Sequence, residues 1–213
     1  MRKLVLPLTA VAAAAVAFAA SAVAQAPPSI SLTIGKPTGG PEGNVTTIRY
    51  GQLVQVSGDV SGAPASGEIV DITITPYRGE TTIRQVRTDS TGEFEFTHRP
   101  LIRTSYTARA RGGTSAQEPL AFVRPRLVLT PLNTRKGQYV VKMGANAQNA
   151  SHVVWIQRRI NRTRWATVKR VRLSRTLSAR FTVRLPSGTR WVRASVPQTP
   201  GYLRTTSDFV RVR

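Results

Sequence analysis

The sequence predicts an all-β chain: two tandem antiparallel β-sandwiches behind a cleaved leader. Three observations carry that prediction. Apolar and polar residues alternate in short runs, no stretch after the leader keeps a helical period, and a set of landmarks returns after a fixed interval. Gly51-Gln52-Leu53-Val54 recurs as Gly137-Gln138-Tyr139-Val140, 86 residues on. Thr104-Ser105-Tyr106 recurs as Thr189-Arg190-Trp191 at an offset of 85, and Phe122-Val123-Arg124 as Phe209-Val210-Arg211 at 87. A period this long belongs to duplicated domains and not to a solenoid.

The chain begins with Arg2 and Lys3, then an apolar run over residues 4–20, then small residues at Ala22 and Ala24. That order of charge, apolar stretch and small residues is a signal peptide, residues 1–24, with cleavage after Ala24 and Ala26 as the second choice. The run falls short of the roughly 20 residues of a spanning helix, and Pro7 interrupts it. Nothing later is long and apolar enough to span a bilayer, so no transmembrane segment is expected in the mature chain. The protein is expected to be exported: secreted, periplasmic or cell-wall associated. Residues 25–29, rich in Pro and Ala, are expected to be a disordered lead.

Residues 30–124 form the first expected sandwich. Val54 and Val56, Ile72 and Ile74, and Phe94 and Phe96 each stand two apart with polar residues between them, as strands with one buried face require. Turn formers separate the runs at Ser57-Gly58, Asp89-Ser90-Thr91-Gly92 and Arg111-Gly112-Gly113, and residues 35–44 read as an unpaired loop. The second sandwich, residues 125–213, starts after Arg124-Pro125-Arg126 with little linker. Its Val141 and Met143 align with Val54 and Val56 after a one-residue slip. Phe181, Val183 and Leu185 continue the pattern before the turn Pro186-Ser187-Gly188. The offsets align Trp191 with Tyr106, so Trp191, like Trp165, is expected to complete the core.

These residues resemble the bacterial immunoglobulin-like domains, with their fibronectin-like and carboxypeptidase-regulatory-like relatives. In the first copy the match rests on Val54-Gln55-Val56-Ser57-Gly58, Val70-Asp71-Ile72, Thr88-Asp89-Ser90-Thr91-Gly92-Glu93-Phe94 and Thr104-Ser105-Tyr106. In the second it rests on Val154-Trp155-Ile156-Gln157-Arg158, Trp165-Ala166-Thr167-Val168 and Trp191-Val192-Arg193. The resemblance spans nearly all of the chain from residue 30. It implies a fold and leaves function open, because such sandwiches serve as adhesins, spacers, chaperones and binding modules.

Charge separates the two copies. Residues 27–124 hold ten basic and nine acidic side chains, whereas residues 125–213 hold nineteen basic ones against Asp208 alone, a net of +18. So much like charge on a small domain opposes its own compaction, since neighbouring charges sit within about a Debye length of 10 Å. A polyanionic partner relieves that repulsion. Strand alternation places Arg170 and Arg172, and likewise Arg180 and Arg184, on solvent faces as a ladder of guanidinium groups on a flat sheet. Arg158, Arg159, Arg162 and Arg164 cluster by the adjoining loop, where their forked donors suit phosphate, sulfate or carboxylate. Trp155, between Val154 and Ile156, is expected outside the core as a ring on which sugars or bases stack.

No catalytic machinery is legible, and no cofactor or metal is expected. The histidines, His98 and His152, fall in different copies, and Glu93 and Glu95 share an outward strand face. The turn at Asp89 lacks the carboxylate density of a calcium loop. With no cysteine, disulfides and thiol nucleophiles are excluded. The expected function is therefore non-enzymatic: an envelope or secreted protein whose second domain binds an anionic wall polymer, acidic polysaccharide, anionic lipid or extracellular nucleic acid. The alternative is a structural or adhesive spacer recognising another protein. A pilus-type chaperone, suggested by Leu120-Ala121-Phe122-Val123-Arg124-Pro125, ranks third.

Overall fold

A computed structural model describes residues 28–39, 42–62, 66–148 and 150–212. The expected leader, and residues 25–27 of the lead, lie outside them. Seventeen strands and no helix occur among the described residues. The first nine are β1 (Thr33–Gly35), β2 (Val45–Arg49), β3 (Val54–Asp59), β4 (Ile69–Pro76), β5 (Thr82–Arg87), β6 (Glu93–His98), β7 (Thr104–Ala110), β8 (Gly113–Thr114) and β9 (Leu120–Arg124). After Pro125 come β10 (Arg126–Asn133), β11 (Gln138–Gly144), β12 (Val153–Arg159), β13 (Trp165–Arg172), β14 (Ser178–Thr182), β15 (Trp191–Val196), β16 (Thr205–Thr206) and β17 (Val210–Arg211).

The strands form four sheets. Two are built before Pro125, β1-β3-β6 and β2-β9-β7-β4-β5 with β8 on β7. Two are built after it, β10-β11-β14 and β13-β12-β15-β16 with β17 on β15. β2 and β9 run parallel, and the other pairings between these strands are antiparallel. Burial follows the sequence period. Val54 and Val56, Val70, Ile72 and Ile74, Phe94 and Phe96, and Tyr139, Val141 and Met143 are all buried, with their strand neighbours turned toward solvent. No helix among the described residues is long and apolar enough to cross a membrane.

Two expectations about the chain's course change. Ser29, placed in the disordered lead, accepts at its carbonyl from Ser61 N at 3.0 Å. The loop over residues 35–44 is cinched by a two-bond bridge, Ile34 N to Gly43 O at 2.9 Å and Gly43 N to Ile34 O at 3.1 Å. Backbone donors and acceptors so close to the core need partners, and a single bridge supplies them without a continuing strand.

Trp165 and Trp191 do not complete the core. β13 carries a bulge: Ile156 pairs with Lys169 and Gln157 with Thr167, so Val168 is the extra residue. Counting back from buried Val171 by twos would put Trp165 inside. The bulge reverses the phase and turns Trp165 outward, opposite Arg159. For Trp191 the cause is strand phase. On β15 the residues two apart, Val192, Ala194 and Val196, are the buried set, so alternation leaves Trp191 on the other face. One residue's slip moves Trp191 to the opposite face.

Residues 201–203 lace the segment before Pro125 to the one after it. Gly201 O accepts from Arg103 N at 3.0 Å, and Leu203 N donates to Val123 O at 3.0 Å. Between them, buried Tyr202 donates its hydroxyl to Leu101 O at 2.7 Å and accepts from Asn146 N at 2.8 Å. A Cβ on Gly201 would meet Ile102 Cδ1 at 2.8 Å, so a side chain there would push the end of Ile102 aside.

Candidate functional site

The outer face of the sheet holding β12, β13, β15 and β17 gathers the aromatic and cationic groups of the C-terminal segment. Val154 and Ile156 on β12, and Val192, Ala194 and Val196 on β15, point into the core. Their neighbours therefore point out, and antiparallel pairing aligns them in rows across the strands. One row runs Arg170, Trp155, Ser195 and Thr206. The next runs Thr167, Gln157 and Arg193. The last sets Trp165 opposite Arg159 and Trp191 opposite Arg211. The protein's three tryptophans all lie on this one face.

At its centre, the Arg193 guanidinium lies over the Trp165 ring, 4.1 Å from the centroid, and Nε donates to Gln157 Oε1 at 3.0 Å. Phe209, 57% exposed, sits 5.5 Å from Trp191 edge to face and 6.2 Å from Trp165. Burial holds the Arg193 pKa below its ordinary value, and the charge of Arg204 adds to that. The cation is thus held on an aromatic surface beside a second cation, an arrangement that favours an incoming anion.

The structure divides the arginines singled out from sequence. Arg170 and Arg172 are exposed on β13, opposite Trp155 and Val153, with Trp155 itself half-buried. Arg180 lies opposite Val140 on the β10-β11-β14 sheet, and Arg184 follows that strand, both exposed. The expected ladder is therefore split between two sheets, whose edges are joined where Lys169 Nζ, on the inward phase of β13, donates to Thr182 O at 2.7 Å. Arg158 shares the inward phase of Val192 and is half-buried at the strand's end. Arg159 is drawn into its own hairpin, with Nε on Asn161 O at 2.9 Å and Nη2 on Arg162 O at 3.2 Å. Arg162 and Arg164 stand exposed in that turn, which Asn161 Oδ1 shapes by accepting from Thr163 N and Arg164 N. Arg193, Arg211 and Phe209 were not singled out from sequence; the Val192, Ala194, Val196 alternation was the signal that places Arg193 outward.

The N-terminal segment carries the opposite charge on its β1-β3-β6 sheet. A 680 Å³ concavity there includes Glu42, Asp59, Asp89, Glu93 and Glu95 in its lining. Several of their oxygens are engaged locally: Glu42 accepts from Thr33 and Ser57 hydroxyls, and Glu95 from Gln55 Nε2. Asp89 accepts from Thr91 N and Oγ1 and from Glu93 N, making the turn, and the Thr91 bonds lower its pKa most. His98 Nδ1 lies 2.8 Å from the Tyr106 hydroxyl, and burial, then Arg84, keeps its pKa low. Among the described residues, no group of three or more His, Asp or Glu has the geometry to hold a metal ion. Compared with models of known protein families the chain matches none, and it matches no curated protein.

Proposed function

We propose that the chain is an exported, bacterial-type, non-enzymatic protein of two tandem immunoglobulin-like sandwiches, the second of which binds an anionic polymer of the cell envelope or its surroundings. Strand pairing supports the duplication. The order β5-β4-β7-β9 matches β13-β12-β15-β17, and β3-β6 matches β11-β14. A finer correspondence lies in two serines. Ser115 Oγ accepts from Ala108 N at 3.0 Å while Ser115 N donates to Ala108 O, and Ser207 and Ala194 exchange the same two bonds.

The observation that carries the function is the outer face bearing Trp155, Trp165, Trp191 and Phe209 among Arg170, Arg193 and Arg211. A plain charged surface would satisfy a lipid headgroup or any solute anion. Rings interleaved with guanidinium groups favour a polymer that alternates flat sugar or base faces with phosphate, sulfate or carboxylate. The carboxylates of the N-terminal segment repel that polymer and confine it to the C-terminal one.

The test is retention of the whole purified chain on envelope preparations and on immobilised polyanions over a salt series. Binding falls steeply as salt rises, because each arginine contact releases counterions. Arg170→Gln/Arg193→Gln/Arg211→Gln shallows that dependence. Retention that survives moderate salt unchanged points to the spacer reading, in which another protein is the partner. One observation favours that second reading: the lacing at residues 201–203 makes the junction stiff.

A further inference from the structure

A second cationic site lies where the two segments meet, beside the aromatic face and sharing Thr206 with its edge. The ends of β2 and β9, the start of β10 and the residues leading into β16 converge on a 720 Å³ cleft that Arg49, Arg124, Arg126 and Arg204 help to line. Its one carboxylate is Asp208. All four arginines are exposed, and among the described residues the one ion pair joins Arg111 to Glu68, elsewhere. Arg49 and Arg124 are direct partners in the β2–β9 ladder, and like charges at directly opposed positions destabilise a strand pair. Arg204 meanwhile adds to the repulsion felt by Arg193. Thr205 and Thr206 line the same cleft, and hydroxyls there can donate to an anion the guanidinium forks embrace.

We propose that this cleft is a binding site for a densely charged phosphate group, an oligophosphate or polyphosphorylated moiety, held jointly by Arg49 and Arg124 of the N-terminal segment and Arg126 and Arg204 of the C-terminal one. The argument is charge density. Four guanidinium groups against one carboxylate leave about three positive charges in a single cleft, and a polymer with one charge per repeat neutralises them poorly. A run of phosphates does so in one place, and the planar forks of arginine match its oxygens pairwise. The site does not depend on the polymer-binding face, because Arg49, Arg124 and Arg126 lie on other strands. Bridging both segments, the ligand would tighten the junction that Tyr202 already pins.

The experiment uses the whole chain with inorganic tripolyphosphate as probe, sulfate at matched ionic strength as control, and a nucleoside triphosphate as a separate arm. Calorimetry and thermal denaturation read the result. Tripolyphosphate binds saturably and raises Tm, whereas sulfate gives little shift. Added affinity in the nucleotide arm identifies a nucleotide source, and equal affinity identifies the bare phosphate chain. Arg49→Gln/Arg126→Gln and, separately, Arg124→Gln/Arg204→Gln each weaken tripolyphosphate at least tenfold, while their ligand-free Tm stays level or rises as the repulsion is relieved. Arg49→Gln/Arg126→Gln keeps its salt-sensitive retention on long polyanions, which separates this site from the aromatic face. An equal shift with sulfate (an adventitious ion only), or undiminished tripolyphosphate binding by both variants, overturns the proposal.

Discussion

Replacing Tyr202 with Phe removes one oxygen and leaves the ring where it is, so it isolates the two hydrogen bonds that pin the junction. That hydroxyl donates to Leu101 O at 2.7 Å and accepts from Asn146 N at 2.8 Å, joining residues on opposite sides of Pro125. Each bond is worth about 1 kcal/mol net, and a buried partner left without one costs about 1–3 kcal/mol. Leu101 is 42% exposed, so its carbonyl recovers water, whereas Asn146 is half-buried and its N–H recovers less. The expected loss is therefore about 2 kcal/mol, or about 4–8 °C in Tm for a chain of this size. Urea denaturation followed by tyrosine and tryptophan emission measures it. The loss of a tie between segments should also broaden or split the transition. A change under about 0.5 kcal/mol with a single sharp transition would refute the claim that Tyr202 couples the segments.

Other perturbations test other parts of the structure. Ser115→Ala and Ser207→Ala each strip a buried alanine N–H of its acceptor, and each should cost about 1–2 kcal/mol in urea unfolding; widely unequal losses would contradict the equivalence of the two serines. Gly137→Ala should cost about 2 kcal/mol or more, since Gly137 has φ of 64° and an added Cβ would meet Val183 O at 2.1 Å. Stability should also fall in alkali. Burial raises the Tyr202 phenol to about 12 and lifts those of Tyr106 and Tyr139 as well. The folded chain therefore keeps protons that the unfolded chain releases near pH 10. That contribution is fully present below about pH 10 and is lost as pH rises through about 12. Urea midpoints against pH, with tyrosinate absorbance, give the curve, and a flat profile across that window would contradict the burial.

Much of the fold was legible because one physical rule, alternation against a buried face, governs most strands. Val70, Ile72 and Ile74, or Tyr139, Val141 and Met143, could face only one way in a sheet with one wet side. What was illegible was local departure from that rule. The bulge at Val168 adds a residue that no composition signal marks, and it sends Trp165 to the surface. A match on residue type set Trp191 beside buried Tyr106, whereas Trp191 stands one position before buried Val192. The Val192-Arg193-Ala194-Ser195-Val196 alternation contained the correction, since it leaves Trp191 outside. The candidate sites were harder still. Arg170 and Arg180 share a sequence pattern, yet sheet order puts them on different sheets. Arg49 and Arg204 are 155 residues apart in the chain and meet only through the junction.

The most direct test of the polymer-binding face is intrinsic fluorescence, because the chain's three tryptophans all lie on it. Titrating a long polyanion into the whole chain at low salt should change tryptophan emission saturably, reverse on adding salt, and fail in Arg170→Gln/Arg193→Gln/Arg211→Gln. If the polymer is retained by the chain while tryptophan emission stays constant, the anion is bound elsewhere and the aromatic face is not the site.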